Sequence, residues 1–182
     1  MPCNQRLACC IIKLIMAYRN KTYVAFDGDN DMWAYGYMKG WRQNNNTSFN
    51  FYNAHDIKQA RDSSSEETIK RSLRERMNNS KFFILLAGES TKNLYRYVRW
   101  EIELALSMGL PIVVVNLDKR RSISYEYCPP ILRDELAMHV SFNAKIIQYA
   151  LEGWSTAHFT RVRNGDTGPY YYKDSVYSSL GL

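Results

Sequence analysis

Lys81 to Ala87 reads KFFILLA, and this stretch decides the fold. After the lysine the run is apolar throughout, with no polar residue at alternate positions. That is the pattern of a short strand covered on both faces, as in a parallel sheet sandwiched between helices. Its neighbours agree. Upstream, Ser64 or Ser65 can cap a helix over about Glu66–Asn78, with Ile69, Leu73 and Met77 on one stripe and Asn78-Asn79 as its stop. Downstream, Gly88-Glu89-Ser90-Thr91 forms a loop and Leu94–Met108 reads as a helix. Gly109 ends that helix, and Pro111 opens a strand over Ile112–Leu117.

Further out, Thr22–Phe26 is β-rich and runs into the acidic turn Asp27-Gly28-Asp29. Asp29, Asn30 or Asp31 then caps a helix through about Trp41, with Trp33, Tyr37 and Trp41 spaced four apart. A polar loop (Asn44–Ser48), a short strand (Phe49–Tyr52) and a polar stretch (Asn53–Ser65) follow. Towards the other end Pro129-Pro130 interrupts the chain, Ile131–Met138 is ambiguous, and Asn143–Leu151 reads as a last helix ending at Gly153. Phe159–Val162 and Pro169–Tyr172 flank Asn164-Gly165, the pattern of an appended hairpin.

Strands alternating with helices imply an α/β fold: one three-layer, flavodoxin-like domain with a central parallel sheet. In that arrangement Thr22–Phe26 lies between the second and third strands. The expected organisation is an N-terminal extension over 1–20, the domain over 21–153 and a C-terminal extension over 154–182.

The chain has 182 residues, enough for one well-buried core and too few for two ordinary domains. With 46% hydrophobic and 23% charged residues it is globular rather than disordered. The net charge of +6 favours anionic partners, but its cations are dispersed among acids and form no nucleic-acid arm. Cys3, Cys9 and Cys10 crowd the start, leaving Cys128 alone in the domain. No disulfide framework or paired metal motif follows, so a reducing, cytoplasmic setting without metal is expected. Leu7–Met16 is too short for a membrane helix. A signal peptide, a weakly ordered extension, or a true start at Met16 each fit it, the last two better, because no small-residue cleavage site follows.

In open parallel sheets, ligands bind beyond the carboxyl ends of the strands. The loops Asp27–Asp31, Asn53–Ser65 and Gly88–Asn93 lie there. The third leads into a helix with an apolar stripe through Leu94, Val98, Ile102, Ala105 and Leu106, and a second through Tyr97, Trp100, Leu104 and Met108. Glu101 falls within that second stripe. A carboxylate so placed loses solvation and needs a partner or a task. Spacing alone leaves both open: pairing with an arginine or a backbone donor, or chemistry. His55, His139 and His158 are scattered without metal spacing.

The segment Tyr97-Val98-Arg99-Trp100-Glu101-Ile102, after Gly88-Glu89-Ser90-Thr91 and before Gly109-Leu110-Pro111-Ile112-Val113-Val114, resembles the third helix of TIR domains. The variant is the TIR-like family that includes the NAD-using TIR protein of the bacterial Thoeris anti-phage system. The likeness extends more loosely from about Thr22 to Gly153. Tyr97 stands where that family more usually has Trp. The resemblance implies that Glu101 is the catalytic glutamate, that Phe26, Asp27 and Gly28 line the pocket, and that Asn53–Ser65 is a mobile loop serving assembly and access. Trp33 then walls the substrate or belongs to a core stripe with Tyr37 and Trp41. Lys58 and Arg61 meet phosphates or are plain surface charges, and Ser90 and Thr91 cap the catalytic helix or contact substrate.

The activity so implied is cleavage of NAD, as substrate rather than cofactor, by a hydrolase or cyclase in antiviral defence. A separate effector protein would sense the ADP-ribose-derived product, and the enzyme could form a homo-oligomer, with no nucleic-acid or membrane partner. A non-catalytic TIR-like scaffold is the rival. A phosphoacceptor receiver domain is disfavoured, because its third strand ends in aspartate and this one reads Leu86-Ala87-Gly88-Glu89.

Overall fold

The computed structural model describes residues 21–43, 50–52, 65–94 and 96–182. In chain order these form β1 (Lys21–Ala25), α1 (Met32–Gln43), β2 (Asn50–Tyr52), α2 (Glu66–Met77), β3 (Phe82–Ala87), α3 (Tyr97–Ser107), β4 (Ile112–Asn116), β5 (Ala137–Ser141), α4 (Ala144–Asn164), β6 (Pro169–Tyr171) and α5 (Asp174–Ser179). One sheet runs β2-β1-β3-β4-β5-β6, and every neighbouring pair is parallel. The four strands expected from sequence are present, with β1 between β2 and β3.

All six residues of β3 are buried, yet they obey the two-residue period of a strand. Phe82, Ile84 and Leu86 enter one core with Val24, Phe26, Val113 and Val115. There they meet Ala34, Tyr35 and Met38 of α1 and Ile146, Ile147, Ala150, Leu151 and Trp154 of α4. Phe83, Leu85 and Ala87 enter the other, against Ile69, Leu73 and Met77 of α2 and Val98, Ile102 and Ala105 of α3. Each large side chain so buried contributes about 1.5–3 kcal/mol, which is why an uninterrupted apolar strand requires helices on both faces.

Local signals set the helix ends near the site. Ser65 caps α2, its hydroxyl accepting from the Thr68 amide at 3.4 Å. Gly109, at φ +61°, turns the chain out of α3 in the left-handed region that glycine enters without strain. The Leu110 amide then donates back to the Ala105 carbonyl at 3.1 Å.

The C-terminal part differs from expectation. Helix α4 passes through Gly153 and stops at Gly165, whose φ is +74°. Glycine inside a helix costs roughly 0.5–1 kcal/mol, and burial of Trp154, the next residue, and of His158, one turn after Trp154, outweighs it. The appended hairpin is absent. Residues 159–162 are helical, and Pro169–Tyr171 forms β6, a parallel edge strand beside β5. A helix between two strands returns the chain to the same end of the sheet, so the second strand must run parallel. Pro169 opens that edge strand, where a missing N–H is tolerated. The expected boundary at 153/154 therefore falls inside α4. The ambiguous stretch resolves into a 3₁₀ turn at Pro130–Leu132 and then β5. Residues 1–20, with their alternative readings, lie outside the described residues.

His139 of β5 is fully buried, and neither ring nitrogen has a hydrogen-bond partner among the described residues. Burial pushes its pKa down from 6.5 to about 4. The folded state therefore holds the neutral ring. The stability this gives is present above pH 6.5 and is lost as pH falls towards 4, by up to roughly 3 kcal/mol. Denaturant unfolding between pH 7.5 and 4 should show His139→Leu losing less stability on acidification than the wild type. The variant should also be at least as stable at neutral pH, because two unsatisfied buried nitrogens are removed.

Candidate active site

The loops after β1 and β3 meet at the carboxyl ends of these two neighbouring strands. The Asp27 carboxylate joins them. Its Oδ1 accepts from the Asp29 amide at 2.9 Å, and its Oδ2 accepts from Asn30 Nδ2 at 2.7 Å and Ser90 Oγ at 2.8 Å. Asn30 Nδ2 also donates to Ser90 Oγ at 3.1 Å. Burial acts to raise the pKa of Asp27, but the donors from Asn30, Asp29 and Ser90 outweigh it and hold the carboxyl below 3.8.

Asp31 lies one turn on and behaves oppositely. It is 5% exposed, and its described side-chain bond is a long one, Thr91 Oγ1 donating to Oδ2 at 3.4 Å. Burial first, and the charge of Asp27 second, push its pKa up to about 6. Gly88 leaves the room this carboxyl occupies, since a Cβ there would overlap both Asp31 oxygens. The Gly88 amide donates to Thr91 Oγ1 at 2.8 Å, which closes the turn after β3.

These residues border a cleft of about 590 Å³. Asp31, Gly88, Glu89 and Ser90 line it on one side, with Trp33, Leu117 and Tyr127 around them. Among the described residues lining it there is no Lys or Arg. Two carboxyl groups, two amide side chains and two aromatic rings suit a hydroxyl-bearing or cationic group better than a phosphate.

Glu101 occupies a different place. It lies midway along α3 on the buried face, 3% exposed, and its Oε1 accepts from the Tyr23 hydroxyl of β1 at 2.8 Å. The cleft at the strand ends, which was expected to face Glu101, does not include it. Tyr97 precedes Glu101 by one turn, as expected. Its half-buried ring makes an edge contact with Trp100 at 5.5 Å, and the Arg96 guanidinium lies 5.4 Å from its centroid.

Several expected roles change. Phe26 turns into the core and stacks on Tyr35 at 4.8 Å, so its ring does not line the cleft. Asp27 joins two loops with both oxygens engaged. The stripe Trp33–Tyr37–Trp41 is not the buried face of α1, which presents Ala34, Tyr35 and Met38. Trp33 is 49% exposed and Tyr37 60%, and Trp33 and Trp41 rest on Phe142 at 5.5 and 4.9 Å. Four-residue spacing defines a face without saying which face is buried. Ser90 lines the cleft, but neither Ser90 nor Thr91 caps α3. That helix starts at Tyr97, after a 3₁₀ turn at Thr91–Asn93, and Arg96 at its N-cap makes no side-chain capping bond. Gly28 is half-buried beside the tie. Lys58 and Arg61 lie outside the described residues.

Tyr23 and Tyr127 were not anticipated; Gly88 and Asp31 entered only as ends of the two strand-end loops, Asp31 also as a candidate cap. Alternation along Thr22–Asp27 was the available signal for Tyr23, because it places Tyr23, Ala25 and Asp27 on one face. Among the described residues no group of three His, Cys, Asp or Glu could hold a metal ion, and no helix is long and apolar enough to cross a membrane.

The family model of the Thoeris protein ThsB, TIR-like domain, matches residues 23–122. The chain belongs to this family. The matched segment runs from β1 past β4, and so contains Tyr23, the Asp27 tie and Glu101; it ends short of the Gly153 suggested by the looser resemblance. The ThsB-type TIR-like domain here thus carries its central strands, both loops of the cleft and α3 within the family match.

The raised pKa of Asp31 has a stability consequence. The folded state holds this proton up to about pH 6 and the unfolded state only to 3.8. Ionisation therefore progressively destabilises the fold as pH rises from about 4 to 6. Asp31→Asn should raise Tm at pH 7 by roughly 2–8 °C relative to wild type. That difference should shrink towards pH 4 when followed by thermal melts across this range.

Proposed function

We propose that this ThsB-type TIR-like protein cleaves the nicotinamide–ribose bond of NAD and releases an ADP-ribose-derived signal in anti-phage defence. The observation that carries the reading is Glu101. It is a buried side chain on α3, within the family match, and the resemblance of Tyr97–Ile102 to the third helix of TIR domains supports reading it as the catalytic glutamate.

The chemistry asks little of the protein beyond placed charge. The C1′–N bond breaks with its electron pair passing into the pyridinium ring, so nicotinamide leaves neutral and no general acid is required. Positive charge develops on the ribose as an oxocarbenium ion, which a fixed carboxylate stabilises or orients through the ribose hydroxyls. Water capturing C1′ gives linear ADP-ribose and a proton. A hydroxyl or ring nitrogen of the ADP-ribose itself gives a cyclic product. The cleft at the strand ends, with Asp31, Glu89, Trp33 and Tyr127 but not Glu101, suits a hydroxyl-bearing part of NAD other than the scissile ribose. A separate effector protein would read the product.

The rival reading, a non-catalytic TIR-like scaffold, is favoured by one observation: Glu101 is engaged by Tyr23 and lies outside the cleft lining. One experiment separates the two. The purified protein is incubated with NAD, with and without lysate from phage-infected cells, and the nucleotides are identified by mass spectrometry. Product should form with wild type. Glu101→Gln, which keeps size and accepts the Tyr23 bond but lacks the charge, should lose activity by a factor of about 100 or more with Tm undiminished. Full activity in Glu101→Gln would remove Glu101 from the mechanism, and no product from wild type in either condition would favour the scaffold.

A further inference from the structure

Tyr23 is the side chain that the proposed chemistry does not yet use and that the fold places against Glu101. It is fully buried on an interior strand, between Tyr52 of β2 and Phe83 of β3 in the ladder. Its ring stacks on that of Phe83, with centroids 5.9 Å apart and planes 7° from parallel. Strand register and stacking together leave the ring one orientation, so its hydroxyl is a fixed point. The glutamate is the opposite case. A helical Glu has three side-chain torsions, and its carboxylate needs an external partner to select one position.

We propose that Tyr23 is a positioning residue for Glu101: its hydroxyl, held by β1, donates to Oε1 at 2.8 Å and so helps to orient the carboxylate and favours its charged form. This rests on the NAD-cleaving reading and names a second residue in the same site. Two physical effects support it. A hydrogen bond to a carboxylate in a buried place stabilises the ionised state, which is the state that can oppose a ribosyl cation. A donor on a rigid strand also removes the reorganisation that a mobile carboxylate would undergo as charge develops. Among the described residues, these charged groups of α2 and α3 are surface groups by comparison. Arg99 pairs with Glu103 at 2.8 Å, and Lys70, Arg71 and Arg74 of α2 are exposed. On β1 itself, Asp27 is held by its own three donors. None of these changes when the Tyr23 hydroxyl is removed.

Tyr23→Phe deletes that hydroxyl and keeps the ring on Phe83. In the full chain, kcat for NAD cleavage should fall about 10- to 100-fold, the worth of one hydrogen bond to a charged group. KM should stay within about 3-fold, since the ring still fills its place. The acid limb of the kcat/KM profile should move to higher pH, because Glu101 then loses this donor. 3-Fluorotyrosine at position 23 keeps the shape with a stronger donor and should move the limb the other way, which guards against a Phe variant that folds poorly. An unchanged kcat and acid limb with only a lower Tm would reduce Tyr23 to packing and overturn the proposal. The ¹³C carboxyl titration of Glu101, assigned by its absence in Glu101→Gln, separates the two hypotheses. A midpoint that moves in Tyr23→Phe while the wild type makes no product supports the coupling and overturns NAD cleavage. A midpoint that stays put overturns the positioning role whatever the activity.

Discussion

Burial of β3 on both faces is the constraint from which the rest of this fold follows. A strand of six apolar residues has no face to offer water, so helices must cover the sheet on each side. Covering both faces with one chain requires crossover connections, and crossovers make the neighbouring strands parallel. Parallel strands in turn collect their carboxyl ends at one edge. There β1 delivers Asp27 and β3 delivers Gly88, and α3 leaves that edge to run back over the sheet, carrying Glu101 across β1. The site is a consequence of how an apolar strand is hidden.

At that edge two aspartates four residues apart meet opposite fates. Both are nearly inaccessible to solvent, at 4% and 5% exposure. Burial pushes both carboxyls up, most effectively Asp31, and only Asp27 has the donors to reverse it. Three short hydrogen bonds reach Asp27 and keep it ionised, whereas Asp31 has a single long described contact, at 3.4 Å, and feels the negative charge its neighbour retains. The tie that joins the two loops thus also adds to the proton affinity that burial gives the second carboxyl. Gly88 belongs to the same device, because only a residue without a side chain leaves that carboxyl its place.

Much of this was legible in the sequence. An apolar run bounded by turn residues has few alternatives, so KFFILLA and Ile112–Leu117 declared a parallel sheet, and the order of strands followed. The candidate glutamate was legible too, because a lone carboxylate in an apolar helical stripe is conspicuous. What was not legible depended on tertiary competition. Gly153 resembles a stop until the burial of Trp154 is weighed against it, and Asn164-Gly165 resembles a hairpin turn until the helix before it is seen to continue. The aromatic stripe of α1 has correct helical spacing, but Ala34, Tyr35 and Met38 fit closer to the sheet. The Asp27 tie joins residues 63 apart in the chain, and the Tyr23–Glu101 bond residues 78 apart. No local pattern encodes either.

The separation of Glu101 from the strand-end cleft bears on how a TIR-like domain could divide its work. The cleft is lined by carboxyls, amides and aromatic rings, and its described lining carries no cation to receive a diphosphate. Cations lie instead along α2, where Lys70, Arg71 and Arg74 flank Trp100 in a groove of about 460 Å³ between α2 and α3. Lys70 Nζ lies 4.6 Å from the centre of that Trp ring. Glu101 sits on the buried face of α3, and Trp100 beside it faces this groove. Under the proposed NAD cleavage, a phenol at position 23 donates to one oxygen of Glu101 without itself adding positive charge. A lysine or arginine there would donate as well, but would offset part of the carboxylate's charge before a ribosyl cation formed.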